Sequence, residues 1–219
     1  TLLVDAEGYL QVFFGAHSDP TTVLRSAAPY SIAAWTSRAP LEDPRTSYPQ
    51  PWEVRPGEIF VSYRHTPPGW CFRRSRDGGA SWEPRQTLVA FEGCAIYAVS
   101  VAATGPWPRA IHIAWSRLGG GTDQEQRTKH AWARRHHVYY AWSDDGGVTW
   151  RRRDGSPYEL PITEPAAEKV YDCGTHGVWL KDIQLDPRGE PCLLFLDADV
   201  ATYRSQWKLA RWADGHWSA

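Results

Sequence analysis

Three side chains in the first third of the chain combine chemistries that suit proton transfer beside an anion: His17, Tyr48 and Arg64. An imidazole titrates near neutrality, a phenol beside a cation can release its proton more readily, and a guanidinium pairs with a carboxylate. Such a set could neutralise a carboxylate, remove the weakly acidic proton from the carbon next to it, and protonate a departing oxygen. Because the three residues are distant in sequence, the fold must bring them together.

An internal repeat indicates which fold could do so. Residues 75–82 read Ser-Arg-Asp-Gly-Gly-Ala-Ser-Trp, residues 143–150 read Ser-Asp-Asp-Gly-Gly-Val-Thr-Trp, and a shortened form occupies 213–217. Asp accepts hydrogen bonds from its own turn, Gly supplies a positive φ, and Trp covers the turn. Since turn chemistry explains every member, Asp77 and Asp145 are predicted to be structural.

Short alternating segments bounded by Gly, Pro and Asp predict an all-β chain in which a four-strand unit recurs. The repeat favours a β-propeller over a β-sandwich, with about four blades at residues 1–43, 44–91, 92–165 and 166–219. The outer strand of the third blade is expected at 149–153, and the polar stretch 119–135 is expected to be a loop insertion. The chain contains no Met and is predicted to be a piece of a larger propeller.

Propeller geometry separates the ends of the strands into two faces. The turns that carry the repeat lie on one face, whereas the ends of second strands and the starts of first strands converge on the other. The residues predicted to converge there are His17, Arg64, His65, Arg117 and Asp197 from second strands, and Tyr48, Tyr97 and His176 from first strands. Of these, Arg117, Tyr97 and His176 are predicted to contact a substrate.

Longer motifs add a specific resemblance. Gly15-x-His17, Tyr48-Pro49-Gln50, Tyr63-Arg64 and Trp115-Ser116-Arg117, together with the repeat, resemble the BNR-repeat (Asp-box) β-propeller family that includes the ulvan lyases. The resemblance covers nearly the whole chain and implies a seven-bladed propeller. It also implies a polysaccharide lyase that cleaves a uronic-acid-containing glycan by β-elimination.

The same resemblance assigns roles to the three side chains. Arg64 would neutralise the substrate carboxylate, Tyr48 would act as base and as candidate acid, and His17 would assist proton transfer or orientation. A further active-site His of the family would fall a few residues before Thr1.

Two other functions remain open. A sialidase-like exo-glycosidase shares the repeat and needs three Arg, of which Arg64 and Arg117 could be two, although no Glu stands near a candidate Tyr. A non-catalytic carbohydrate-binding propeller would keep the aromatic surface without the chemistry. The chain has 13 Trp and 10 Tyr, most of which are expected to fill the space between sheets.

Four residues form a candidate metal site: His65, Cys71, Cys94 and Cys173. Thiolate and imidazole donors converging on one face would suit a structural zinc that joins blades. The alternatives are unrelated buried thiols, or a Cys71–Cys94 disulfide. No cofactor is predicted for catalysis.

Composition narrows the partners. A formal net charge of −1 argues against bulk electrostatic binding to nucleic acid, and no apolar run is long enough to span a membrane. The predicted partner is an anionic polysaccharide, and the protein is predicted to be a monomer. A secreted or periplasmic location is expected only because the substrate would be a polymer.

Overall fold

The computed structural model consists of antiparallel β-sheets. It describes residues 1–15, 17–65, 69–103, 109–119, 135–202 and 204–219, with the side chains of 42–44 excluded. Within these ranges a short 3-10 helix spans Glu164–Ala166. No helix in the same ranges has the length and apolarity needed to cross a bilayer.

The first two repeat units join into one continuous sheet, and the sheets of the last two units are called here the third and fourth sheets, after the units that form them. The strands of the continuous sheet are β1 (Leu2–Val4), β2 (Leu10–Phe14), β3 (His17–Ser26), β4 (Trp35–Ser37), β5 (Leu41–Arg55), β6 (Glu58–His65), β7 (Gly69–Ser75) and β8 (Gln86–Val89). The second half of β3 pairs with β2 and β4, while its first half pairs with the start of β5, so that His17 lies opposite Ser47. This ladder places His17 beside the residue that follows Ser47.

The third sheet differs from expectation in its outer strand. Its order is β9 (Cys94–Ala102), β10 (Ile111–Gly119), β11 (Arg135–Ser143) and β12 (Glu168–Tyr171). Residues 149–153 make only two isolated bridges, in which Arg151 pairs with Trp142 and with Pro157. A tight turn reverses the chain at once, because Gly155 N–H donates to the Arg152 carbonyl at 3.0 Å. The ladder beside β11 therefore resumes only at β12. The predicted insertion falls mostly on residues 120–134, outside the described residues.

The fourth sheet follows the expected order: β13 (Gly177–Leu185), β14 (Pro191–Ala198), β15 (Ser205–Ala213) and β16 (His216–Ser218). The shortened repeat forms the two-residue turn between the last two strands. Asp214 and Gly215 have φ of 51° and 79°, which a primed hairpin turn requires.

Large aromatic side chains fill the space between the sheets. Trp150, from the second full repeat, is 1% exposed and packs on Phe60 and Phe72 of the preceding sheet at centroid distances of 5.9 and 5.8 Å. Gly147 of the same repeat has φ 85°, and a Cβ there would lie 2.8 Å from the Phe60 ring. The repeat thus joins neighbouring sheets as well as closing its own turn.

Strand register separates two rims. Ile59 lies opposite Ser75 and Ile111 opposite Ser143, which puts both full repeats at one end, here called the Asp-box rim. Arg64 lies opposite Ser47, and Leu118 opposite Arg135, at the other end, here called the opposite rim.

The repeat turns are closed by their own side chains. The Asp145 carboxylate accepts bonds from Ser143 Oγ at 2.8 Å and from Thr149 N and Oγ1 at 2.9 and 2.7 Å. The Asp77 carboxylate accepts the equivalent bonds from Ser75 and Ser81. Both Asp side chains are engaged in turn closure, as the sequence indicates.

Candidate active site at the opposite rim

Tyr48 and His17 are in direct contact. His17 Nε2 lies 3.1 Å from the Tyr48 hydroxyl, and the two rings meet edge to face at 5.6 Å. Tyr48 has φ 58° and sits at a register shift between Ser47 and Gln50 in the ladder of β5 with β6. A bulge of this kind redirects a side chain out of the pleat, and Tyr48 is 41% exposed. The local distortion therefore presents the phenol to solvent while His17 fixes its hydroxyl.

Arg64 lies beneath this phenol. Its guanidinium carbon is 4.8 Å from the Tyr48 ring centroid and 5.0 Å from that of Tyr97, and Nη2 donates to Ser47 Oγ at 3.3 Å. The side chain is 9% exposed. Among the described residues no carboxylate lies within ion-pair distance of it. A nearly buried guanidinium without a carboxylate partner is suited to receive one from a ligand.

The Gln of the Tyr-Pro-Gln motif connects Tyr48 to the third sheet. Gln50 Nε2 donates to the Ala98 carbonyl at 2.8 Å and Gln50 Oε1 accepts from Ser100 Oγ at 2.6 Å. These bonds fix β5 against β9, and they bring Tyr97 to a centroid distance of 6.0 Å from Tyr48. Tyr97, predicted to contact substrate, therefore lies next to the phenol.

Arg135 extends the cluster and was not predicted as a site residue. Its guanidinium carbon lies 3.9 Å from the Tyr97 centroid and 4.4 Å from the Trp179 centroid, and Lys181 Nζ lies 4.3 Å from the same Trp179 ring. The sequence analysis places Arg135 at the end of the expected loop insertion at 119–135. In the structure β11 begins at Arg135 itself.

We refer to Tyr48, Tyr97, Trp179, Arg64, Arg135 and Lys181 as the cationic aromatic strip. Four of its members, Tyr48, Tyr97, Arg135 and Trp179, line a cavity of about 320 Å³. A larger cavity of about 480 Å³ lies at the Asp-box rim but contains none of the predicted site residues. Its Trp142 ring already stacks on His112 at 5.9 Å and lies beneath Arg153 at 5.4 Å.

Arg117 and His176 lie apart from the Tyr48 contacts. Arg117 Nε pairs with Glu164 at 2.9 Å, and the same carboxylate accepts a bond from the Tyr139 hydroxyl at 2.6 Å. His176 Nδ1 lies 2.7 Å from the Asp197 carboxylate, which is 3% exposed. Both residues are thus matched by carboxylates, unlike Arg64.

The four predicted metal donors have separate partners. His65 Nε2 lies 3.1 Å from Arg85, Cys71 Sγ lies 3.7 Å from Thr87 Oγ1, and Cys94 Sγ lies 3.9 Å from Arg117. Cys173 Sγ accepts a bond from the His137 N–H at 3.3 Å.

In the described part of the chain no three His, Cys, Asp or Glu side chains gather into a group that could hold a metal. The predicted zinc ligands are therefore not assembled. The reason is geometric: Cys71 points into the core between the first two units, whereas Cys173 belongs to the core between the third and fourth sheets. All four cysteines are described and none forms a disulfide, so the Cys71–Cys94 bond is also not formed.

Four-stranded antiparallel units with Asp-box turns at one rim define an Asp-box β-propeller architecture. The BNR repeat-containing family matches residues 1–219, and the chain belongs to that family.

Curated relatives include an ulvan lyase of class PL25 from Pseudoalteromonas sp. (strain PLSV), 25% identical over 251 residues. The match covers 99% of this chain and 50% of that protein. An ulvan lyase from Nonlabens ulvanivorans is 23% identical, with 99% of this chain and 52% of that protein covered. The chain thus spans about half the length of the curated relatives it matches.

Solved structures show the same fold. A PL25 ulvan lyase bound to -[GlcA(1-4)Rha3S]- superimposes with a TM-score of 0.84 at 20% identity, over 100% of this chain and 56% of that one. An endo-arabinase from Bacteroides thetaiotaomicron VPI-5482 gives 0.54 at 11% identity, over 98% and 75%. These likenesses confirm the predicted all-β propeller fold.

Proposed function

We propose that the protein is a polysaccharide lyase that cleaves a uronic-acid-containing, ulvan-like glycan by β-elimination. The observation that carries this proposal is the position of the Tyr48 phenol between the His17 imidazole and the Arg64 guanidinium. One group of each required kind is present, and two of them are in hydrogen-bond contact.

The reaction follows from these three groups. Arg64 pairs with the uronate carboxylate, which allows negative charge to build up there when the neighbouring C–H bond breaks. Tyr48 acts as the base that takes that proton, and the C–H electron pair passes into an enediolate on the carboxylate held by Arg64. This pair forms the carbon–carbon double bond as the bond to the glycosidic oxygen breaks, and the oxygen leaves with a proton supplied by Tyr48 or His17. His17 Nε2 fixes the orientation of the phenol oxygen throughout.

The family relatives support this choice of substrate. Three matched curated proteins are ulvan lyases, and one solved relative is bound to a glucuronate–sulfated rhamnose repeat. A polymeric algal substrate would also place the protein in a secreted or periplasmic location. The sialidase alternative is disfavoured because Arg117 pairs with Glu164 and so does not join Arg64.

The proposed chemistry requires no cofactor, since Arg64 supplies the positive charge that stabilises the developing carboxylate charge. A structural zinc forms no part of the proposal, because its four predicted donors have separate partners.

The test compares Tyr48→Phe with Tyr9→Phe in the protein at its natural length. Tyr9 is a matched control because it also lies beneath a guanidinium, that of Arg25 at 3.4 Å, near the Asp-box rim. Product formation from ulvan is followed by the ultraviolet absorbance of the unsaturated uronate. Loss of a proton-transfer group lowers the rate by roughly 10²–10⁴-fold.

Tyr48→Phe should therefore nearly abolish the absorbance rise, while Tyr9→Phe retains it. Unchanged turnover in Tyr48→Phe would refute the assignment of Tyr48. Tight ulvan binding without product in the unmodified protein would instead favour the non-catalytic carbohydrate-binding function.

A further inference from the structure

The strip continues beyond the three proposed catalytic residues. Arg64 and Arg135 contact the same Tyr97 ring, and Arg135 and Lys181 contact the same Trp179 ring. Tyr97 lies on β9 and Trp179 on β13, which are the first strands of the third and fourth sheets. Cations and aromatic rings therefore alternate across three successive units.

The charges on this strip are not balanced within the described residues, where no carboxylate lies within ion-pair distance of Arg64, Arg135 or Lys181. By contrast, the partly buried Arg25 pairs with Asp5 at 3.0 Å. Burial lowers the pKa of Arg135, Tyr97 and Tyr48 oppose this shift, and the nearby charge of Arg64 adds to it. The partly buried Arg135 guanidinium therefore carries a desolvation penalty in the absence of an anion.

A bound anion would remove this penalty, and the aromatic rings between the cations provide flat apolar surfaces on which sugar rings can pack. The arrangement thus fits a chain of sugars that carries anionic groups on neighbouring residues. A neutral glycan would leave Arg135 and Lys181 without partners.

We propose that Arg135 and Lys181 form a second anion-binding subsite, which takes a sulfate ester or a second uronate on a sugar neighbouring the one bound at Arg64. This proposal rests on the lyase function for the identity of the Arg64 sugar. The subsite would make the protein selective for glycans with closely spaced anionic groups.

The test measures binding separately from turnover. Ulvan oligosaccharides, the same oligosaccharides after desulfation, and carboxyl-reduced oligosaccharides are titrated calorimetrically into the Tyr48→Phe protein. Arg135→Gln and Lys181→Gln are then added singly to that background. Arg152→Gln is the matched control, because Arg152 lies 4.4 Å from the Tyr158 ring outside the strip.

Arg135→Gln should weaken binding of native oligosaccharides on the order of ten- to a hundredfold, which corresponds to loss of a charge-assisted contact. Lys181→Gln, at an exposed position, should weaken it less but measurably, and Arg152→Gln should leave it unchanged. If desulfation of the ligand removes the effect of Arg135→Gln, the subsite takes the sulfate. If the effect survives desulfation but is lost on carboxyl reduction, the subsite takes the second uronate.

Equal affinity of Arg135→Gln, Lys181→Gln and the parent for all three ligands would overturn the subsite, even if unmodified protein cleaves ulvan. Conversely, absence of turnover in the unmodified protein would refute the lyase function. In that case a loss of binding in Arg135→Gln would still support an anion subsite.

Discussion

Replacing Arg64 by Lys separates charge from geometry at the proposed reaction centre. The ammonium retains the positive charge but cannot make two parallel bonds to a carboxylate. Because charge on that carboxylate grows as the proton leaves, loss of one hydrogen bond should destabilise the transition state more than the bound substrate. Arg64→Lys is therefore expected to lower kcat strongly and to change KM little.

The magnitude can be estimated from the contacts. Loss of one preorganised donor to a developing oxyanion costs about 10²–10³ in kcat. For folding, Arg64 contributes two cation–π contacts and one bond to Ser47, of which Lys keeps part. The expected destabilisation is about 1–2 kcal/mol, a fall in Tm of several degrees. The protein should thus remain folded at 25 °C while losing most of its turnover.

The assay follows unsaturated uronate absorbance over a range of ulvan concentrations, with near-ultraviolet circular dichroism to verify folding. Arg25→Lys is the control, since Arg25 also lies on a tyrosine ring, at 3.4 Å, and pairs with Asp5. That variant should lose stability but keep its kcat. If Arg64→Lys kept kcat within threefold of the unmodified protein and raised only KM, the assignment of Arg64 to charge neutralisation in the transition state would be refuted.

Two further predictions concern stability and pH. Asp145→Ala removes the carboxylate that closes its turn, so it should lower the free energy of unfolding by roughly 2–4 kcal/mol, whereas Asp144→Ala should not. Burial opposes ionisation of Asp145, but hydrogen bonds from Thr149 hold its pKa below the usual value. The difference in unfolding free energy between the unmodified protein and Asp145→Ala, measured by urea titration, should therefore shrink as the pH falls below about 4. Burial lowers the pKa of His112 from 6.5 to about 3. Because the unfolded chain therefore binds a proton at a higher pH than the folded protein does, the free energy of unfolding should fall as the pH is lowered below 6.5. The expected slope is at most about 1.4 kcal/mol per pH unit. His112→Gln should remove that slope, and a slope unchanged in His112→Gln would assign it to other groups.

The repeated Asp-box turns allowed the all-β propeller fold to be predicted from the sequence. Each Asp-box consists of local interactions, so its residues specify their own geometry, and regular spacing then specifies the sheets. The same reasoning put Tyr48 and Arg64 at one rim, because strand direction alone decides which end a residue occupies. Direct contact of His17 with Tyr48 depends on the irregular pairing of β3 with β5, which the sequence pattern alone does not indicate.

Three predictions differ from the structure, each for its own physical reason. The segment 149–153 pairs with β11 only through Arg151 and Trp142, because a turn with bonds local to residues 152–156 then reverses the chain, and the outer strand of the third sheet lies beyond that turn. Arg135 was missed because an Arg at a strand start resembles a solvated charge until its aromatic neighbours from other sheets are known. The predicted metal ligands do not assemble, because the position of a residue near one rim does not determine where its side chain points, as Cys71 shows.

The sharing of β3 between two units has a mechanical consequence. His17 and Tyr48 are joined through a backbone ladder within one sheet, so they should move as a single rigid body. Tyr97, Arg135 and Trp179 belong to other sheets and meet them across packed side chains and the bonds of Gln50. Small rotations between sheets would therefore widen or narrow the cavity beside Tyr48, Tyr97, Arg135 and Trp179, while His17 and Tyr48 keep their spacing.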